Sequence, residues 1–226
     1  MEFILKKSLE SLFKRMETLK EEYLSEEKNL KESERLYSAE EIFNRKQAFR
    51  KKYINIAENF VIEVEGDASV WVSKDETQVD LTDKQKADNA LWLSTDMMTF
   101  INCSVTDELA FEILKRYFGD FAVMRRLSTM SAFNKIYTRC SSNTTINVLK
   151  LANFIKKTAK DVVEEYGKLL NEFKNRFKYS SGIGSGWTET LCQQKLLELA
   201  DLYEKYLNEV ETAKTADFKT VSKFFI

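Results

Sequence analysis

Proline is absent from all 226 residues of this chain, where ordinary usage of about 5% would place about 11. Proline breaks helix interiors, because it lacks the amide donor and its ring clashes with the preceding turn. A chain without it, and with only 6 glycines, can be written as long helices joined by short turns. The expected fold is all-α, with one small β-hairpin near 66–81 as the place where strand competes. Histidine is absent too, which removes the commonest general acid/base and the commonest metal ligand. No enzyme, metal or other cofactor is therefore expected.

With 43% hydrophobic and 12% aromatic residues, the chain can bury a core of one or two domains. Its charges nearly cancel, to −1, so there is no global attraction to nucleic acid or to an anionic membrane. The balance is uneven along the chain: residues 1–64 are neutral, 65–120 carry −7, 121–180 carry +8 and 181–226 carry −2. Cys103, Cys140 and Cys192 are odd in number, widely spaced and outside any CxxC pair, which fits reduced thiols better than a disulfide framework or zinc site. No apolar run has the length of a signal sequence or a membrane span, so a soluble protein of a cytoplasm, with no membrane partner, is expected.

Three helical seams organise the chain. Leu5, Leu9, Leu12, Met16, Leu19 and Tyr23 follow the alternating spacing of a coiled coil, and this seam is the candidate oligomer or partner contact. In the same register Glu26 and Ser33 then alternate with Leu30 and Tyr37, which predicts a helix in solvent or against a polar partner. Ser38 and Glu41 form a capping box where a second helix starts, and its core positions are Phe49, Tyr53, Ile56 or Ala57, Phe60 and Val64, with Gly66 as its C-terminal cap. Thr82 or Asp83 caps a helix whose buried stripe would be Ala87, Ala90, Leu91, Met97, Met98 and Ile101, and Thr106 caps the next.

From about residue 145 the pattern Val148, Ala152, Ile155, Ala159, Val162, Tyr166, Leu169, Phe173 and Phe177 is the most regular in the chain. After SSGIGSGW, a further seam of Cys192, Leu196, Leu199, Tyr203, Tyr206 and Val210 predicts an antiparallel helical hairpin. The expected organisation is a coiled-coil-like N-terminal helix over 1–37, a compact helical middle over 38–140, and a C-terminal hairpin with a tail over 145–226.

Candidate chemistry is sparse. Gly182, Gly184 and Gly186 have the spacing of a phosphate-loop fragment, but no strand precedes them and no GK[ST] follows, so a turn between helices is favoured. The carboxylates Glu63, Glu65, Asp67, Asp75, Glu76 and Asp80 lack calcium-loop spacing and read as a solvated acidic face. Cys192 lies in an apolar seam and reads as a small hydrophobe. A basic block of Arg125, Arg126, Lys135, Arg139, Lys150, Lys156, Lys157 and Lys160 is interleaved with Phe133, Tyr137 and Phe154. Within it, Arg125, Arg126, Arg139, Lys150, Lys156, Lys157 and Lys160 are the candidate contacts to nucleic acid or to an acidic partner.

The stretch SVTDELAFEILKRYFGDFAVMRRLSTM, preceded by LYSAEEIFNRKQAFRKKY and followed by the long helix, resembles in layout the small helical structural and head-assembly proteins of bacteriophages that infect low-GC Gram-positive bacteria. The resemblance covers about residues 36–175, is one of arrangement, and transfers no functional residue. It implies a phage protein acting by assembly or binding. The expected function is non-enzymatic protein–protein interaction, in virion structure or assembly or as an inhibitor of a host defence protein, with a homo-oligomeric state. The alternative is nucleic-acid binding through 121–180.

Overall fold

The computed structural model describes residues 3–78, 82–102, 148–178 and 187–215, with residues 106, 109, 113, 116, 117, 120, 123 and 126. The fold is all-α. Its elements are α1 (Ile4–Ser33), a 3₁₀ turn (Glu34–Leu36), α2 (Ala39–Val64), α3 (Asp67–Gln78), α4 (Asp83–Asn102), α5 (Val148–Lys178) and α6 (Trp187–Thr215). No strand occurs among the described residues. The chain divides into two compact units that are discontinuous in sequence. One comprises Ile4–Val72 and Asp161–Ala200; the other comprises Met1–Phe3, Ser73–Lys160 and Asp201–Ile226.

Helix starts follow local chemistry. The Ser38 hydroxyl accepts from the Glu41 amide at 3.3 Å and the Glu41 carboxylate accepts from the Ser38 amide at 3.0 Å, which completes the capping box. Thr82 and Gln85 repeat that arrangement at the start of α4, and the Thr106 hydroxyl accepts from the Leu109 amide. Gly66 does not end α2 as a left-handed cap; its carbonyl accepts from Val70 and opens α3.

Two expectations are corrected. The hairpin expected near 66–81 is helical through residue 78, while residues 79–81 lie outside the described set. The β-branched run SVWV imitates strand alternation, but Ala68, Val72 and Asp75 are buried at spacings of four and three, the period of a helix face. On α4, polar Asn89 and Asp96 are buried with Leu93, whereas Leu91 and Met98 are 70% and 57% exposed. Ala87 and Ala90 are exposed as well, and Met97 is half-buried. Satisfied polar groups explain the inversion. Asn89 donates to Asp120 at 3.3 Å, and Asp96 accepts from the Tyr117 hydroxyl and from Arg116 at 2.9 Å. Burial and the Asp96 hydrogen bond push the Tyr117 hydroxyl pKa well above its ordinary value.

In the first unit, α1 buries Leu5, Leu9, Leu12 and Met16, and α2 buries Phe49, Tyr53, Ala57, Phe60 and Val64. From α5 come Val162, Tyr166, Leu169, Phe173 and Phe177, and from α6 Cys192 and Leu196. The Tyr166 hydroxyl donates to the Val64 carbonyl at 2.8 Å, and Trp71 meets the Tyr166 ring edge-on at 5.6 Å. The α6 seam differs from expectation by one residue in two places: Ala200 and Leu207 are buried, while Leu199 and Tyr206 are half-buried. Antiparallel pairing of α5 and α6 shows in the Arg176–Glu189 and Glu165–Lys195 ion pairs of the first unit. In the other unit the Phe154 ring stacks on Tyr206 at 5.5 Å.

Candidate interaction surface

Between Met16 and Phe49 the chain forms the two limbs of a helical hairpin joined by the 3₁₀ turn, yet not one of residues 17–48 is buried. The remaining seam side chains Leu19, Tyr23 and Leu30 of α1 are half-buried, and so is Ile42 of α2. At the turn end, Leu36 is 77% exposed and Phe43 is 61% exposed. Arg45 lies over the Tyr37 ring at 3.6 Å, and Lys46 pairs with Glu34 at 2.7 Å. Residues 17–48 thus form a two-helix arm held by its caps, ion pairs and a thin seam.

An aromatic cluster closes the base of this arm. Tyr23 lies 4.8 Å from Phe49, 5.0 Å from Tyr53 and 5.6 Å from Phe177, ring centre to ring centre. Glu26 accepts from Lys52 at 2.6 Å and from the Tyr53 hydroxyl at 2.8 Å. The Lys52 hydrogen bond, then that of Tyr53, holds the Glu26 carboxyl below its ordinary pKa.

Below the cluster sits a charged hub that the sequence pattern did not reveal. Glu189 is 1% exposed; Lys20 lies 2.7 Å from its Oε1 and Arg176 lies 2.9 Å from its Oε2. Oε2 is paired with Arg176 by charge and proximity but accepts no hydrogen bond. One buried carboxylate in the first turn of α6 therefore meets a cation from α1 and one from the last turn of α5. Its signal was available: an acidic residue opening one helix and an arginine closing the helix before it, as the two helix dipoles favour.

The arm has two unlike sides. Adjoining grooves of about 450, 620 and 410 Å³ run along one side of α1 and α2. Phe49, Tyr53, Ile56 and Phe60 of α2 line the grooves, while Thr18, Ser25, Asn29, Ser33 and Ala48 supply small or short polar rims.

The sequence-derived candidates fall as follows. Leu5, Leu9, Leu12 and Met16 are buried within this one chain, at 0–3% exposure, and Leu19 and Tyr23 are half-buried. The first four positions of the seam offered as an oligomer or partner contact are thus covered within this one chain. Arg125 and Arg139, with Lys135, Phe133 and Tyr137, lie outside the described residues, as do Cys103, Cys140 and the three glycines. Arg126 is exposed, Lys150 belongs to α5, and Lys156, Lys157 and Lys160 are exposed on α5. The Phe154 ring, one of the aromatics interleaved in the basic block, is stacked on Tyr206.

Among the acidic residues, Glu63 pairs with Arg15 at 2.7 Å and Asp75 is fully buried, so they share no single solvated face. Among the described residues no group of His, Cys, Asp or Glu is arranged to hold a metal ion, and no helix is long and apolar enough to cross a membrane.

Cys192 is buried beside Glu165, and burial first, then the Glu165 hydrogen bond, pushes its thiol pKa up. Burial alone would raise the Glu165 carboxyl, but hydrogen bonds from Lys195, Lys168 and Cys192 outweigh it and hold that pKa down. A thiol so placed stays protonated and is a poor nucleophile. Comparison with protein-family models, with curated proteins and with solved structures found no match to this chain.

Proposed function

We propose that this chain is a non-enzymatic helical interaction protein of bacteriophage origin that acts in virion structure or assembly by presenting its α1–α2 arm to a protein partner. The observation that carries this reading is the arm itself: from residue 17 of α1 to residue 48 of α2 no residue is buried, only Lys20 and Tyr23 at its base meet other helices, and Leu36 and Phe43 stand exposed at its turn. Helices in isolation are marginal and gain most of their stability from packing. An arm of this kind fits a surface whose partner lies outside the chain. Exposed large apolar side chains grouped at one place, as Leu36 and Phe43 are, mark an interaction site when they form a patch.

The test places a photo-crosslinking amino acid at position 36 or 43 during infection, with position 62 as an exposed apolar control on α2. Expected is an adduct with one virion protein from 36 and 43 and none from 62. The same adducts from all three sites, or none, would overturn the reading. An adduct with a host protein would replace the assembly role with inhibition of a host defence protein. Leu36→Ser/Phe43→Ser should abolish capture and leave the far-ultraviolet circular dichroism unchanged.

A further inference from the structure

The inverted burial of α4 builds a polar groove. Asn89 and Asp96 are buried, while the large Trp92 ring between them in sequence is 50% exposed. An apolar pair in place of a buried hydrogen-bonded pair is commonly about as stable, so stability alone does not explain the arrangement. Departures from the local pattern of this kind concentrate at functional sites. What the two buried groups do is position others: Asp96 holds the Arg116 guanidinium at 2.9 Å, and Asn89 holds Asp120 at 3.3 Å. All of them belong to one compact unit.

Gln85, Asp88, Asn89 and Trp92 fall within two turns of α4 and share one face of it. With Arg116 they line a groove of about 570 Å³, a size suited to a small ligand. Its polar groups are only partly spent. Asp88 is exposed and makes no ion pair or hydrogen bond among the described residues. Gln85 accepts from the Thr82 amide and hydroxyl through Oε1, which leaves its Nε2 donors unspent. The buried Asn89 donates to Asp120, and its Oδ1 accepts nothing among the described residues. Arg116 gives one nitrogen to Asp96 and keeps its other donors. Its guanidinium lies 5.6 Å from the Trp92 ring centre, against 3.6 Å for Arg45 over Tyr37, so it does not seal the ring face.

We infer that this groove binds a guanine nucleotide, with the base stacked on Trp92, its N–H donors on the Asp88 carboxylate and its phosphate at Arg116. Each part of the groove selects one part of that ligand. A half-exposed indole takes a flat ring. One carboxylate and one guanidinium together favour a ligand that carries both donors and an anion. Among the four bases of RNA, guanine alone presents two parallel N–H donors on its Watson–Crick edge, the complement of a carboxylate, and its adjacent carbonyl can accept from Gln85. The guanidinium fork matches a phosphate. The same chemistry recognises a free nucleotide and a guanosine within a single strand. The site lies on α4 and does not depend on the arm.

Equilibrium dialysis of the full chain against GMP, AMP, CMP and UMP tests this, with quenching of tryptophan fluorescence as a second readout. GMP should bind saturably and at least about tenfold more tightly than the other three, because a site built for donors rejects analogues that lack them. IMP, without the 2-amino group, should bind about tenfold more weakly than GMP. Asp88→Asn and Trp92→Leu, both at exposed positions, should each weaken GMP at least about tenfold and leave the far-ultraviolet circular dichroism unchanged. Trp92→Leu should also remove the quenching, although Trp71 and Trp187 remain. Tighter binding of the pentanucleotide UUGUU than of GMP would assign the site to single strands, and GMP binding at least as tightly would assign it to the free nucleotide. No saturable binding of GMP or of the pentanucleotide up to about 5 mM, equal binding of all four nucleotides, displacement of GMP by equimolar inorganic phosphate, or indifference to both variants overturns the inference. Leu36→Ser/Phe43→Ser should leave GMP binding intact, so failure of the groove and failure of the turn as a partner site are separately visible.

Discussion

The two halves of α1 have one helix, one charge-rich composition and one apolar register, yet opposite surroundings. Leu5, Leu9, Leu12 and Met16 are buried, whereas beyond Met16 no residue of the helix is. Register alone therefore does not decide burial. What differs is the depth of cover: the first half is buried, while the second meets α5 and α6 only near its start, through Tyr23 on Phe177 and Lys20 on Glu189, and beyond Tyr23 its charge pairs with other elements are to the opposite limb of its own hairpin. The difference assigns stability to one half and availability to the other.

This contrast can be broken by substitution. Met16→Asp should cost more than about 4 kcal/mol by burying an unpaired charge, and Leu24→Asp on the same helix should stay within about 0.5 kcal/mol. Equal losses in urea titration would show that the outer half is covered after all. Glu189→Ala removes the anion between two largely buried cations and should cost about 3 kcal/mol, read in the same titration. A change below about 1 kcal/mol would mean that Lys20 and Arg176 reach water without it.

Tyr166→Phe keeps the packing against Trp71 and loses the hydrogen bond to the Val64 carbonyl, for an expected loss of about 1 kcal/mol in thermal unfolding. The smallest effect belongs to the partly exposed Glu26. Its folded pKa is depressed by Lys52 and Tyr53, so its contribution is present above the ordinary carboxylate pKa and is lost as pH falls through the folded value. Wild type should exceed Glu26→Gln by at most about 0.5 kcal/mol near neutrality, with the gap closing in acid. A gap that widened in acid would contradict the pairing.

Much of this architecture was legible where period and capping agree. The α5 register identified Ile155, Val162, Tyr166, Leu169, Phe173 and Phe177, and Ser38 with Glu41 located the restart of the helix. The sequence misled where polar side chains are buried. Asn89 and Asp96 displaced Leu91 and Met98 from the interior of α4 because their partners, Asp120, Arg116 and Tyr117, lie twenty or more residues away and leave no local mark. The arm was half legible. Weakening of the seam at Glu26 and Ser33 announced a poorly covered helix, but the grooves beside it are rimmed by small and charged residues that a search for apolar periodicity passes over.

The hub at Glu189 has a consequence for how such a chain can diverge. Lys20, Arg176 and Glu189 sit on three helices but share one electrostatic balance, so replacement of the carboxylate by a neutral residue would leave two cations to be accommodated at once. Single steps away from the triad are closed, and paired or triple steps are open. In relatives of this chain the three positions should therefore be retained together or exchanged together for apolar residues, while Leu36 and Phe43, bound to no such partner, can change one at a time.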